Sequence, residues 1–167
     1  MNAHADVLVV GGGPVGLAAA IEARLAGWDV VVVEPRTGPI DKACGEGLMP
    51  GTLTALARLG VDPDGHPLTG ISYRSPRGNV DHVFSSGPGR GVRRTTLQQA
   101  LRARADDLGV RHVTKRVDRL ERSSAGVVAA GVSARWLLAC DGLHSTVRRL
   151  AGLAVDAPPR FVYPLSL

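Results

Sequence analysis

The chain has 167 residues, of which 44% are hydrophobic, 21% charged and only 4% aromatic. That is enough chain for one domain with a real core and too little for two, and the balance is that of a globular protein rather than a disordered one. The formal charge of +5 is carried almost wholly by arginine, but the cations are scattered and are not interleaved with aromatics that could stack on bases. Nucleic acid is therefore not the expected partner; an anionic small molecule is.

With so few aromatic side chains, the core must be built from Val, Ala and Leu. The first apolar run, Asp6 to Val10, reads as a buried strand. Gly11-Gly12-Gly13 breaks it, Pro14 suits a first helical turn, and Val15 to Ala26 is Ala- and Leu-rich helix stopped at Gly27. Asp29 to Glu34 contains four consecutive valines, the pattern of a central parallel strand buried on both faces. Strand, glycine turn, helix and strand make one βαβ unit.

Pro35 to Pro50 is a loop dense in Gly and Pro, followed by a short helix from Thr52 to Leu59. Val61 to Arg90 reads as turns and short strands, such as Gly70 to Arg74 and Val80 to Ser85. Thr95 to Leu108 is helical, with Leu97, Leu101 and Leu108 recurring on one side. Arg111 to Ala130 reads as two or three strands of a hairpin-like excursion, Arg135 to Ala139 as an apolar strand, and Leu143 to Leu150 as a short helix. Pro158-Pro159 ends the ordered pattern, leaving residues 157–167 as an irregular tail. No signal peptide, membrane-spanning run, metal-ligand spacing or internal repeat is visible. The expectation is a protein of the cytoplasm with no integral membrane segment; its oligomeric state is not legible.

Gly11-x-Gly13-x-x-Gly16 fits the dinucleotide fingerprint, and each glycine has a task. Gly11 permits the tight turn, Gly13 lets the backbone approach a pyrophosphate, and Gly16 allows close packing of helix on strand. Pro14 and Val15 open that helix, whose free N–H groups and positive dipole end favour phosphate. Glu34 closes the second strand near the offset at which an acid accepts hydrogen bonds from a ribose. Pro35 and Arg36 follow, and the Arg36 guanidinium could border an adenine. The fingerprint alone leaves NAD and FAD both open.

Four stretches together carry a resemblance. They are Leu8 through Gly16 with Glu34-Pro35-Arg36; Pro39-Ile40-Asp41-Lys42-Ala43-Cys44-Gly45-Glu46-Gly47; Gly91-Val92-Arg93-Arg94-Thr95-Thr96-Leu97; and Leu138-Ala139-Cys140-Asp141-Gly142-Leu143-His144-Ser145-Thr146-Val147-Arg148. In order and spacing the chain resembles the N-terminal part of the FAD-dependent monooxygenases of the aromatic hydroxylase type and the related geranylgeranyl reductases. The second stretch is similar to the Pro-x4-Cys-Gly segment of the reductases. The third matches the family's Arg-x-x-Leu, with Arg94 in register, and the fourth its Asp-Gly motif.

The resemblance implies an α/β, Rossmann-like FAD-binding fold with a parallel sheet, of the glutathione-reductase-like kind and incomplete at its C-terminus. Residues 1–156 would be the FAD-binding domain, with inserted short strands at about 61–90. It implies that Arg94 contacts the FAD phosphate and ribityl region, that Asp141 and Gly142 lie near the pyrophosphate and ribityl chain, and that the Cys44-Gly45 loop covers the isoalloxazine. Gln98 could reach the ribityl hydroxyls. Cys140 closes an apolar strand and is read as core packing, and Arg93 as solvated. His66, His82, His112 and His144 have no carboxylate or serine partner at a recognisable spacing.

The family's second flavin motif, Gly-Asp-Ala-like, lies farther downstream than this sequence extends. The expectation is an FAD-dependent oxidoreductase, a monooxygenase using NAD(P)H and oxygen on a small organic substrate, present as its FAD-binding part. The alternatives are a geranylgeranyl-type reductase, an inactive nucleotide-binding fragment, and an NAD-dependent dehydrogenase.

Overall fold

The computed structural model describes residues 3–41 and 46–155. Its centre is a six-stranded sheet built on β1 (Ala3–Val10), whose lower half alternates and whose upper half is buried throughout. Gly11 ends β1, and α1 (Pro14–Leu25) follows, with Pro14 at its first turn. β2 (Val30–Val33) is four buried valines lying parallel to β1. These three elements match the sequence reading to within a few residues at each end.

The segment after β2 is less regular than its fold role suggests. β3 (Gly47–Leu48) is a two-residue strand inside what reads as loop, and α2 (Pro50–Arg58) follows it. β7 (Gly89–Gly91) is the middle strand of a small three-stranded antiparallel sheet, pairing with β3 on one side and β4 (His66–Leu68) on the other. Between them, β5 (Gly70–Ser75) and β6 (Gly78–Val83) form a hairpin that pairs with no other described strand.

α3 (Arg94–Asp107) packs on α1 over one face of the central sheet. The expected hairpin-like excursion from Arg111 to Ala130 is then divided. β8 (Arg111–Val113) pairs parallel with β2 and extends the main sheet, while β9 (Leu120–Ser123) and β10 (Gly126–Ala129) form the antiparallel hairpin. A three-residue strand has too little pattern of its own to show which sheet it joins. β11 (Val132–Ala139) starts earlier than the sequence suggests, because Val132 to Ala134 continue the antiparallel ladder with β10. It then runs parallel to β1 along its whole length. α4 (Thr146–Leu150) begins three residues later than expected, leaving Leu143 exposed.

The spatial order is β8-β2-β1-β11-β10-β9. Valines of β1 and β2 alternate between two cores. Val7, Val9, Val30 and Val32 face Leu17, Ile21, Leu101 and Ala105 of the helices, whereas Leu8, Val10, Val31 and Val33 face Val117, Ala129 and Val147 on the other side. Burial on both faces is why these strands are runs of valine rather than alternating ones.

Candidate functional site

The register of the parallel strands decides where the motifs meet. Val10 is level with Val33 in β2 and with Ala139 in β11, and Val33 is level with Val113 in β8. The residues that follow these strands therefore emerge side by side at one edge. Three backbone bonds pin them: Gly11 N–H to Val33 O (2.8 Å), Glu34 N–H to Val113 O (3.1 Å) and Cys140 N–H to Val10 O (2.7 Å). β1 has its α1-linked partner on one side and β11 on the other, so the edge lies at a topological switch point, where open α/β sheets bind ligands.

A cleft of about 470 Å³ opens there. Gly11, Gly13, Pro14, Val15, Glu34, Pro35, Arg36, Arg94, Asp141 and Gly142 all line it. Cys44 and Gly45 lie outside the described residues. Gly16 is set behind the cleft, where a Cβ would meet Gly11 O at 1.9 Å, so this glycine serves the packing of α1 on the turn. Gln98 also stands apart: its side chain is buried beneath the glycine loop, with Nε2 3.4 Å from Gly12 O, and it does not line the cleft. Lys115 and Arg116 do line it and were not singled out in the sequence; their signal, two cations directly after β8, depends on knowing that β8 belongs to the parallel sheet.

Each glycine of the loop is constrained differently. Gly11 has φ +110°, and a Cβ would meet Cys140 O at 2.3 Å. At Gly13 the backbone is extended (φ −74°, ψ 175°) and a Cβ would find only the Arg94 guanidinium, 3.8 Å away. The fold's own packing therefore does not require a glycine at this position. Gly13 caps α1 without a side-chain hydrogen bond, and the first turn carries no acidic residue, so the uncapped N–H end of the helix faces the cleft.

Glu34 is mostly covered. Its Oε2 accepts from Gly12 N–H at 2.9 Å, and its Oε1 from Arg36 N–H at 3.1 Å and Arg36 Nε at 2.8 Å. Burial works against the charge, but the Arg36 side chain and the two backbone donors outweigh it, holding the carboxyl below its ordinary pKa. A carboxylate has further lone pairs, so it can still accept from a ligand hydroxyl.

Asp141 lies at the end of β11, with Oδ1 accepting from Ser145 Oγ (2.6 Å) and Oδ2 from Val147 N–H (3.1 Å). Ser145 Oγ in turn accepts from Arg148 N–H (2.9 Å), an N-cap of α4. The Asp141 carboxyl is also depressed, because these bonds and the nearby backbone donors overcome its desolvation. Burial first, and then the Asp141 charge, pushes the Cys140 thiol up; the residue is half-buried, packing against the helix-side core while also lining the cleft. His112, with no sequence-spaced partner, stands 3.0 Å from Asp106 Oδ1, away from the cleft.

The donor set fits a dinucleotide diphosphate. Arg94 reaches over Gly13 with its guanidinium, and among the described residues its buried Nε has no hydrogen-bond acceptor; buried donors are usually satisfied. Together with Arg36, Lys115 and Arg116, it gives the cleft four cations against the two internally satisfied carboxylates, Glu34 and Asp141. Among the described residues, no group of His, Cys, Asp or Glu is placed to hold a metal, and no helix is long and apolar enough to cross a membrane.

A mainly parallel sheet with a glycine loop after β1, an acid after β2 and an arginine over the loop, all at the switch point, is the arrangement of a dinucleotide-binding fold. The chain belongs to the FAD binding domain family, which it matches over residues 4–164. It is 37% identical over 176 residues to the menaquinone reductase of Mycolicibacterium smegmatis, covering 91% of this chain and 41% of the relative. To digeranylgeranylglycerophospholipid reductase 1 of Methanothermobacter thermautotrophicus it is 30% identical, covering 96% and 44%. Among solved structures, the anhydrotetracycline hydroxylase OxyS of Streptomyces rimosus superposes with a TM-score of 0.76 at 30% identity, over 89% of this chain and 34% of that one. The chain thus spans about two fifths of the length of these curated relatives. Both branches of the sequence resemblance, hydroxylases and prenyl-lipid reductases, are represented among them.

Proposed function

We propose that the chain is the FAD-binding part of a flavin-dependent oxidoreductase of the cytoplasm, a monooxygenase that draws electrons from NAD(P)H and acts on a small organic substrate. The observation that carries the cofactor assignment is the clear space above Gly13, bordered by the Arg94 guanidinium, whose Nη2 would lie 3.8 Å from a Cβ there. In this reading Gly13 and the N–H end of α1 receive the diphosphate, with Arg94 as its charge-assisted donor. Glu34, fixed by Gly12 and Arg36, accepts the adenosine ribose hydroxyls. Asp141 and Gly142 hold the loop against which the diphosphate and ribityl chain lie. When bound, the flavin supplies the redox chemistry, and these residues supply position and electrostatics.

A second reading, a reductase of a prenylated substrate, is favoured by the similarity to the two reductases and by the Pro39-x4-Cys44-Gly45 segment. The first test is titration of the purified chain with FAD and with NAD, following flavin fluorescence and the thermal midpoint. Saturable FAD binding is expected, and NAD binding with no response to FAD would replace the assignment with a dehydrogenase. Substrate panels then separate the two readings. Oxygen uptake matched to NAD(P)H loss with a phenolic substrate marks hydroxylation, whereas oxygen-independent NAD(P)H loss with a prenyl quinone marks reduction.

A further inference from the structure

Gly12, the middle residue of the loop, is gripped at both of its backbone polar groups. Its N–H donates to Glu34 Oε2 at 2.9 Å, and its carbonyl accepts from Gln98 Nε2 at 3.4 Å. Gln98 is only 5% exposed, so water does not compete for that amide, and a carbonyl facing it demands the N–H side of the carboxamide. The two neighbours of Gly12 are held by other means: Gly11 through Val33 O, and Gly13 as the N-cap of α1, its own carbonyl taking Leu17 N–H. The Gly12 N–H belongs to the Gly11–Gly12 peptide, so Glu34 fixes that plane, and among the described residues Gln98 is the side chain that holds the Gly12–Gly13 peptide, through the Gly12 carbonyl.

Arg94 lies four residues before Gln98 on α3, so one face of that helix sends a guanidinium to Gly13 and an amide to Gly12. We propose that Gln98 is a positioning residue. It touches no ligand atom and sets the plane of the Gly12–Gly13 peptide, so that the diphosphate meets the α1 N–H end and Arg94 together. This rests on the reading of the cleft as a dinucleotide site, and it differs from a Gln98 contact to the ribityl chain in which half of the ligand it serves. A loop brace acts on the diphosphate; a ribityl contact acts only on the flavin side.

ADP carries the adenosine and diphosphate without a ribityl chain and separates the two. Gln98→Met keeps the buried volume and removes the donor, and its affinity for ADP and for FAD is expected to fall by the same factor, about tenfold. In Gln98→Glu the introduced carboxylate faces the Gly12 carbonyl, acceptor against acceptor, so both ligands bind weakly at pH 7. Both should recover toward pH 5, where a protonated carboxyl can donate to that carbonyl. A loss confined to FAD, or no loss for either ligand, overturns the proposal. A wild-type chain that binds neither ligand overturns the dinucleotide reading itself, and the proposal with it.

Discussion

At Gly11 and Gly13 the same residue type answers two different demands. Gly11 is required by the fold: its φ of +110° and the 2.3 Å approach to Cys140 O leave no room for a side chain. Gly11→Ala should therefore lose roughly 3 kcal/mol or more of stability, visible as a collapsed urea midpoint. Gly13 has an ordinary backbone and nothing closer than the Arg94 tip at 3.8 Å. Gly13→Val should leave the fold within about 1 kcal/mol of wild type, the usual scale for an N-cap change, while FAD affinity falls at least tenfold. Paired urea melts and FAD titrations check both; equal destabilisation by the two substitutions would contradict the distinction. The carboxyls give a further expectation. Glu34 and Asp141 have folded-state pKa values below their ordinary 4.5 and 3.8, so their stabilisation is complete above those values and lost as pH falls through the depressed ones. Thermal midpoints measured from pH 7 down to pH 3 should drop in the acid limb, and Asp141→Asn should flatten that drop and lower the plateau at neutral pH.

Among the elements, those with strong periodicity were legible and those defined by their partners were not. β1, α1, β2 and α3 each carry their own pattern, valine runs or leucines at helical spacing, and the structure returns them nearly as read. β8 has three residues and takes its meaning from pairing with β2, so its sequence alone cannot separate it from the neighbouring hairpin. That ambiguity hides Lys115 and Arg116, which reach the cleft only because β8 ends level with Val33. The β5–β6 hairpin is the converse case: its pattern was read, yet every residue of β6 is exposed and Tyr73, Val80 and Val83 lie on the surface. A two-stranded ribbon without a buried face is marginal in water. Its amides should exchange with deuterium within the fast phase, while those of β1 and β2 exchange only with global unfolding. Protection of β5–β6 equal to that of β2 would show that this ribbon is stabilised by more than its own pairing.

Across the whole molecule, sequence and tertiary structure determined different things, for a physical reason. The sequence by itself determined the βαβ unit, the Val, Ala and Leu core, the dinucleotide fingerprint with Glu34, and the FAD-binding family, because these rest on local spacing and on backbone conformations that few residues allow. Ten of the residues it singled out do line one cleft. Only the tertiary structure decided that Gly13 is open and Gly16 closed, that Glu34 and Gln98 grip the same glycine, that the Arg94 guanidinium reaches over Gly13, and that Lys115 and Arg116 belong to the site. Those facts depend on strand order and register, which bring residues 11, 34, 94, 115 and 141 together across the chain. Pairing between distant strands is set by the burial of whole faces and not by any one segment, so no local pattern announces it.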